Sequence, residues 1–133
     1  MFLIDSSAWI EYLRPKGSSK VKERVREALE KENVACCGMV VVEILRGAKD
    51  KKTFQMLKET LLSLPQIPIS NTAIEKAAQW GFMLAKKGKT VPTTDLFIAS
   101  AADGKAIVLH VDSDFETIAS ITGVEQEKIA LTS

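Results

Sequence analysis

Four acidic residues stand where a solvated carboxylate is least expected, Asp5, Glu43, Asp95 and Asp112, and Asp114 is a fifth candidate. Asp5 closes the short apolar run FLI, and Asp112 closes AIVLHV with Asp114 two residues further on. Glu43 lies inside MVVVEIL between Val42 and Ile44, and Asp95 stands near the start of TTDLFIASAA. Carboxylates brought together repel one another, and their pKa values rise until something neutralises them. A hard divalent cation does so directly, because Mg²⁺ or Mn²⁺ takes oxygen ligands. Such an ion can also generate hydroxide from water and stabilise charge on a phosphoryl group. The chain shows no Ser–His pairing and no reactive Cys, so the acids point to metal-assisted phosphodiester hydrolysis.

Taken singly, each acid also has a structural use. Asp5 and Asp112 suit helix N-caps. Asp95 would complement a helix dipole from the first turn. Glu43 is the least comfortable, since an ionised carboxylate among valines and leucines needs solvent or a cation. Arg46, three residues on, could supply that cation as a helix-surface pair. It is the set that argues for chemistry.

Other signals are weaker. Arg14, Lys16 and Lys20 flank one loop, and Lys86, Lys87 and Lys89 form another ahead of Asp95. They read either as solvated charge or as groups that hold phosphates beside a metal. Trp9 and Trp80 fall in apolar helical patterns and belong to core or interface. His110 is expected to pack on a sheet.

Composition narrows the class. The 133 residues suit one domain over 1–133, able to bury roughly two-thirds of its unfolded surface. With 18 basic and 17 acidic residues the net charge is +1, which argues against indiscriminate polyanion binding. Cys36 and Cys37 are adjacent, and a disulfide between them would be strained. One histidine and two cysteines are too few for a structural zinc site. No leader segment and no apolar stretch of spanning length are evident, so a cytoplasmic location without a membrane is expected.

These residues need elements to position them. Apolar runs predict strands at 2–4, 34–37 (VACC), 67–69, 106–111 (AIVLHV) and 127–131 (EKIAL). Between them, SSAWIEYL, a long helix capped by Ser18 or Ser19, and MVVVEILRGA read as helical. So does a helix opened by Asp50 with Phe54, Leu57, Leu61 and Leu64 on one face. A further helix runs from Ser70 or Asn71 to Ala85 with Ile74, Ala77, Ala78, Gly81, Met83 and Leu84 buried. TTDLFIASAA with a Thr cap, and SDFETIAS, complete the set. Strands separated by helices predict a mainly parallel sheet of about five strands inside an α/β/α sandwich. In such sheets ligands bind beyond the carboxyl ends of the strands. Asp5 and Asp112 both fall there.

At this point a family resemblance emerges. DSSAWI, VVVEILRG, TTDLFIASAA and HVDSDFETIA resemble, in that order, the acidic motifs of the PIN-domain ribonucleases. The match is to the VapC-type toxins of VapBC toxin–antitoxin pairs, and it runs over nearly the whole chain. It implies a PIN-like fold and a Mg²⁺- or Mn²⁺-dependent endoribonuclease acting on RNA. The acidic quartet maps onto Asp5, Glu43, Asp95 and Asp112, with Asp114 beside it. The hydroxyl neighbours correspond to Ser6 or Ser7 and to Thr93 or Thr94, and Arg46 could contact Glu43 or RNA. A homodimer and a small cognate antitoxin are implied as partners. Which of Asp112 and Asp114 is the primary ligand stays open.

Three other readings compete. A dehalogenase-type phosphatase would need an Asp where the chain has Ser7. A receiver domain would want a Lys after a late strand and would lack the mid-chain Glu. A catalytically inactive PIN-fold binding module would be expected to lose an acid, and none is lost.

Overall fold

The computed structural model describes residues 1–131. Phe2–Ile4 forms β1, Ser6–Leu13 α1, Ser19–Lys31 α2 and Val34–Ala35 β2. Gly38–Leu45 is α3, Lys51–Ser63 α4, Asn71–Lys86 α5 and Thr93–Ala102 α6. Ile107–His110 forms β3, Asp114–Ala119 α7 and Gln126–Lys128 β4. All strand pairs are parallel, in the order β2-β1-β3-β4.

This order explains where a site can form. The chain leaves β1 towards β2 on one side, and returns past β1 to β3 and β4 on the other. With the right-handed crossovers that parallel strands adopt, α1 and α2 cover one face and the later helices the other. The connections after neighbouring strands β1 and β3 therefore diverge, and a crevice opens between them at the carboxyl end.

Register and pleat assign the side chains. Ile4 pairs with Leu109, and Leu109 with Glu127, which places them on one face with Phe2. There Arg24 of α2 binds Glu127 at 2.7 Å and lies over the Phe2 ring, while Val21, Val25 and Ala28 are fully buried. Leu3, Val108 and His110 line the opposite face, where Phe115 of α7 stacks against His110 with centroids 4.8 Å apart. No helix among the described residues is long and apolar enough to cross a membrane.

Helix starts follow local chemistry. Ser18, Asp50 and Ser70 accept N–H bonds from Val21, Thr53 and Ala73, as good N-caps do. The α1 bounds coincide with SSAWIEYL. The expected Thr cap of α6 is not found: Pro92 occupies the N-cap position and its carbonyl accepts from Asp95 and Leu96.

Among the described residues the sheet has four strands, not about five. The strand expected at 67–69 is a single bridge between Cys36 and Gln66, with Ile67 N–H bonded to the Cys36 carbonyl at 2.8 Å. Pairing stops there because α3 begins at Gly38 and curls the partner backbone away. The last strand lies at Gln126–Lys128, ahead of the expected 127–131. In α5 the buried face is Ala73, Ala77, Trp80 and Leu84, whereas Ile74, Ala78 and Met83 are exposed. Both stripes are apolar, so spacing alone does not choose between them. Phe54 of α4 is likewise exposed, and Leu61 carries that helix's burial.

Candidate active site

Asp5 is the first residue past β1 and the N-cap of α1. Its backbone N–H bonds to the Leu109 carbonyl at 2.9 Å, which ties it to β3. Its two carboxylate oxygens have different tasks. Oδ2 accepts from the Ser7 N–H at 3.0 Å and the Ser7 hydroxyl at 2.5 Å, a capping arrangement. Oδ1 is buried and has no hydrogen-bond partner among the described residues. Asp5 is only 2% exposed, and burial raises its pKa despite the bonds from Ser7. Cap and chemistry share one side chain.

Asp95 in the first turn of α6 is 6% exposed, and its Oδ2 is also buried without a partner. Burial first, then the charges of Asp5, Asp112 and Asp114, push its pKa up to about 8. Asp112 lies two residues beyond β3, with Val111 between, and Asp114 is the first residue of α7. Asp112 Oδ1 accepts the Asp114 N–H at 3.0 Å. The Asp114 carboxyl is raised by burial and by Asp112. One carboxylate oxygen from each of Asp95, Asp112 and Asp114 lies within 4.8 Å of the others.

Glu43 stands outside that tight trio and is joined to it through α1. Its Oε1 accepts from the Ser6 hydroxyl at 3.0 Å. Burial and then the charge of Asp5 raise its pKa, against the Ser6 bond and a lowering by Arg46. Arg46 is exposed and makes no ion pair with Glu43, so the helix-surface pair is not formed. The two serines divide the work: Ser6 serves Glu43, while Ser7 serves Asp5 and also accepts the Val111 N–H at 3.2 Å. Thr94 is half-buried, Thr93 is exposed, and neither makes a side-chain hydrogen bond among the described residues. Thr93 lines an apolar cleft between α5 and α6.

Sequence reading did not single out Gln126. Its Oε1 lies 2.7 Å from His110 Nε2, and a polar residue in a three-residue strand carries no signal of such a contact. Nor does the sequence place Cys37 near the acids. Burial, with Asp5 and Glu43 adding to it, raises that thiol's pKa, so it is no nucleophile at neutral pH.

The donor set fits a hard divalent cation. It consists of carboxylate oxygens, it gathers negative charge that raises pKa values, and two of its buried oxygens have no partner among the described residues. In a protein interior such oxygens are ordinarily paired.

The parallel α/β sheet gathers acids at its switch point, and the sequence profile of the PIN domain matches residues 2–121. The chain belongs to the PIN-domain family. Its likeness is to VapC proteins in particular. Ribonuclease VapC11 of Mycobacterium tuberculosis is 36% identical over 130 residues, covering 94% of this chain and 96% of that protein. Ribonuclease VapC18 of the same organism is 32% identical over 134 residues, covering 97% and 95%. The fold is also that of solved complexes. VapBC2 from Rickettsia felis, bound to promoter DNA, superposes with a TM-score of 0.75 at 19% identity, covering 97% of this chain and 98% of that one. FitAcB from Neisseria gonorrhoeae gives 0.75 at 22% identity, covering 95% and 96%.

Proposed function

We propose that this protein is a divalent-metal-dependent endoribonuclease and the toxin of a toxin–antitoxin pair. One observation carries the reading: Asp95, Asp112 and Asp114 converge within 4.8 Å, beside buried, unpartnered oxygens of Asp5 and Asp95. The ribonuclease names of its VapC relatives support the activity, and the toxin–antitoxin complexes among the structural neighbours support the partner.

Asp5, Asp95, Asp112 and Asp114 would hold Mg²⁺ or Mn²⁺, with Glu43 at the margin. Such an ion, when bound, supplies Lewis-acid stabilisation of phosphoryl charge and lowers the pKa of water. The chain's own residues do the rest. Ser7 locks the Asp5 carboxylate to α1 and to the turn after β3, so that only Oδ1 remains for a ligand. Ser6 keeps Glu43 turned towards the crevice. Burial of Asp5 and Asp95 strengthens every charge interaction in the site. Exposed Lys86, Lys87 and Lys89, just ahead of α6, hold RNA phosphates that the carboxylates alone would repel.

In this reading residues 1–133 work as one cytoplasmic nuclease unit, paired as a homodimer and inhibited by a small antitoxin. The test is cleavage of single-stranded RNA by purified protein. Activity is expected with Mg²⁺ or Mn²⁺ and not in excess EDTA, and Asp5→Asn is expected to abolish it while remaining folded. Full activity in EDTA would sink the metal-dependent mechanism. A folded Asp5→Asn variant with wild-type activity would remove Asp5 from the site.

A further inference from the structure

We propose that His110 is a positioning residue of this centre: its Nδ1 holds the backbone N–H of Asp112 and so sets the turn that aims the Asp112 carboxylate at Asp95 and Asp114. The inference rests on reading Asp112 as a ligand. His110 is fully buried on the sheet face that carries the later helices, and the Asp112 N–H donates to its Nδ1 at 3.0 Å. A nitrogen that accepts an N–H carries no proton, so the ring proton sits on Nε2. That is the atom facing Gln126 Oε1 at 2.7 Å, an acceptor. The Asp112 contact sets that tautomer, and the Gln126 contact agrees with it. Gln126 reaches His110 because it lies two residues before Lys128, the register partner of His110, on the same face of the sheet.

The consequence is a run of hydrogen bonds from the sheet edge into the site. Gln126 fixes the ring, the ring fixes the Asp112 amide, and Asp112 Oδ1 accepts the Asp114 N–H at 3.0 Å. The preceding amide, Val111, is held by the Ser7 hydroxyl at 3.2 Å. The turn between β3 and α7 thus has its Val111, Asp112 and Asp114 amides held by side chains instead of water. A residue that only filled the core could be apolar, because the ring already packs on Phe115 at 4.8 Å. The polar contacts are what distinguish His110.

Nitrogen-15 NMR of the metal-free wild-type protein tests the tautomer directly. An Nε2–H ring with a slowly exchanging Asp112 amide is expected, and an Nδ1–H ring overturns the proposal. Mn²⁺ binding, measured by calorimetry or electron paramagnetic resonance, tests the consequence. His110→Phe keeps the volume without the acceptor and should weaken Mn²⁺ binding about ten-fold. His110→Asn, whose Oδ1 takes the place of Nδ1, should recover most of that loss. If Asp112→Asn leaves Mn²⁺ affinity unchanged, the site reading itself falls and this proposal with it. If Asp112→Asn loses binding while a folded His110→Phe binds as wild type, the positioning role alone is overturned. Should His110→Phe not fold, the tautomer of the wild-type ring decides.

Discussion

At the residue scale, Asp95 carries the clearest pH signature. Its folded pKa of about 8 lies above the ordinary carboxylate value of 3.8. Between those values the folded protein binds more protons than the unfolded chain, so metal-free stability falls as pH rises through this window. Asp5, Glu43 and Asp114 are raised as well and act with the same sign. In EDTA the melting temperature should therefore drop from pH 5 to pH 8, and Asp95→Asn should flatten that slope and melt roughly 5 °C higher at pH 8. A wild-type melting temperature independent of pH would show that the carboxylates are not strained by one another. Asp112 and Asp114 separate by their surroundings. Asp112 is held by the His110 contact and by its own bond to Asp114, whereas Asp114 sits in a helix start whose dipole already favours its charge. Asp112→Asn should lose more cleavage than Asp114→Asn, and added Mn²⁺ should rescue the second better. The reverse order in a single-turnover assay would make Asp114 the primary ligand.

At the element scale, the α1–α2 corner matters because α1 carries both serines of the site. Glu11 accepts from the Ser18 N–H at 2.9 Å and pairs with Arg14, and Lys22 bonds to the Tyr12 and Arg14 carbonyls. The corner is so tight that a Cβ on Gly17 would lie 1.8 Å from the Glu11 carbonyl oxygen. Both partners there are backbone, so relief requires moving the end of α1. Gly17→Ala should cost about 1–3 kcal/mol in urea unfolding, the usual range for overpacking. An unchanged midpoint and slope would mean that the corner opens freely.

At the scale of the whole molecule, charge and apolar surface call for partners. A cation at a hundred times its dissociation constant stabilises the folded state by about 2.7 kcal/mol. Mn²⁺ should therefore raise the melting temperature by roughly 10 °C, and EDTA should reverse the shift. No shift at millimolar Mn²⁺ would contradict the metal centre. On α1, Ile10 and Leu13 are 48% and 41% exposed beside a buried Trp9. On α5, Ile74 and Phe82 lie eight residues apart on one stripe and are 45% and 65% exposed. Large apolar groups uncovered in a row ordinarily mark a contact surface. Sedimentation should find a dimer at micromolar concentration, and a monomer throughout would count against the homodimer.

What the sequence determined by itself was local. The bounds of α1, the cap Asp50, the caps of α2 and α5 to within one residue, and the placing of Asp5 and Asp112 just past strands follow from periodicity and capping within a few residues. So does the order of the acidic motifs that marks the family. Tertiary structure decided what depends on residues far apart in the chain. Ser6 meets Glu43 across 37 positions and Ser7 meets Val111 across 104, so nothing near either serine announces these distant partners. The stretch at 67–69 failed to become a strand because its partner turned into α3, and α5 buried Trp80 over Ile74 because the rest of the fold met that stripe. The convergence of Asp95, Asp112 and Asp114 belongs to the same class. Carboxylates do not gather on their own account. The apolar sheet and helices behind them supply the free energy that holds like charges together, and only the assembled fold sets how close they come.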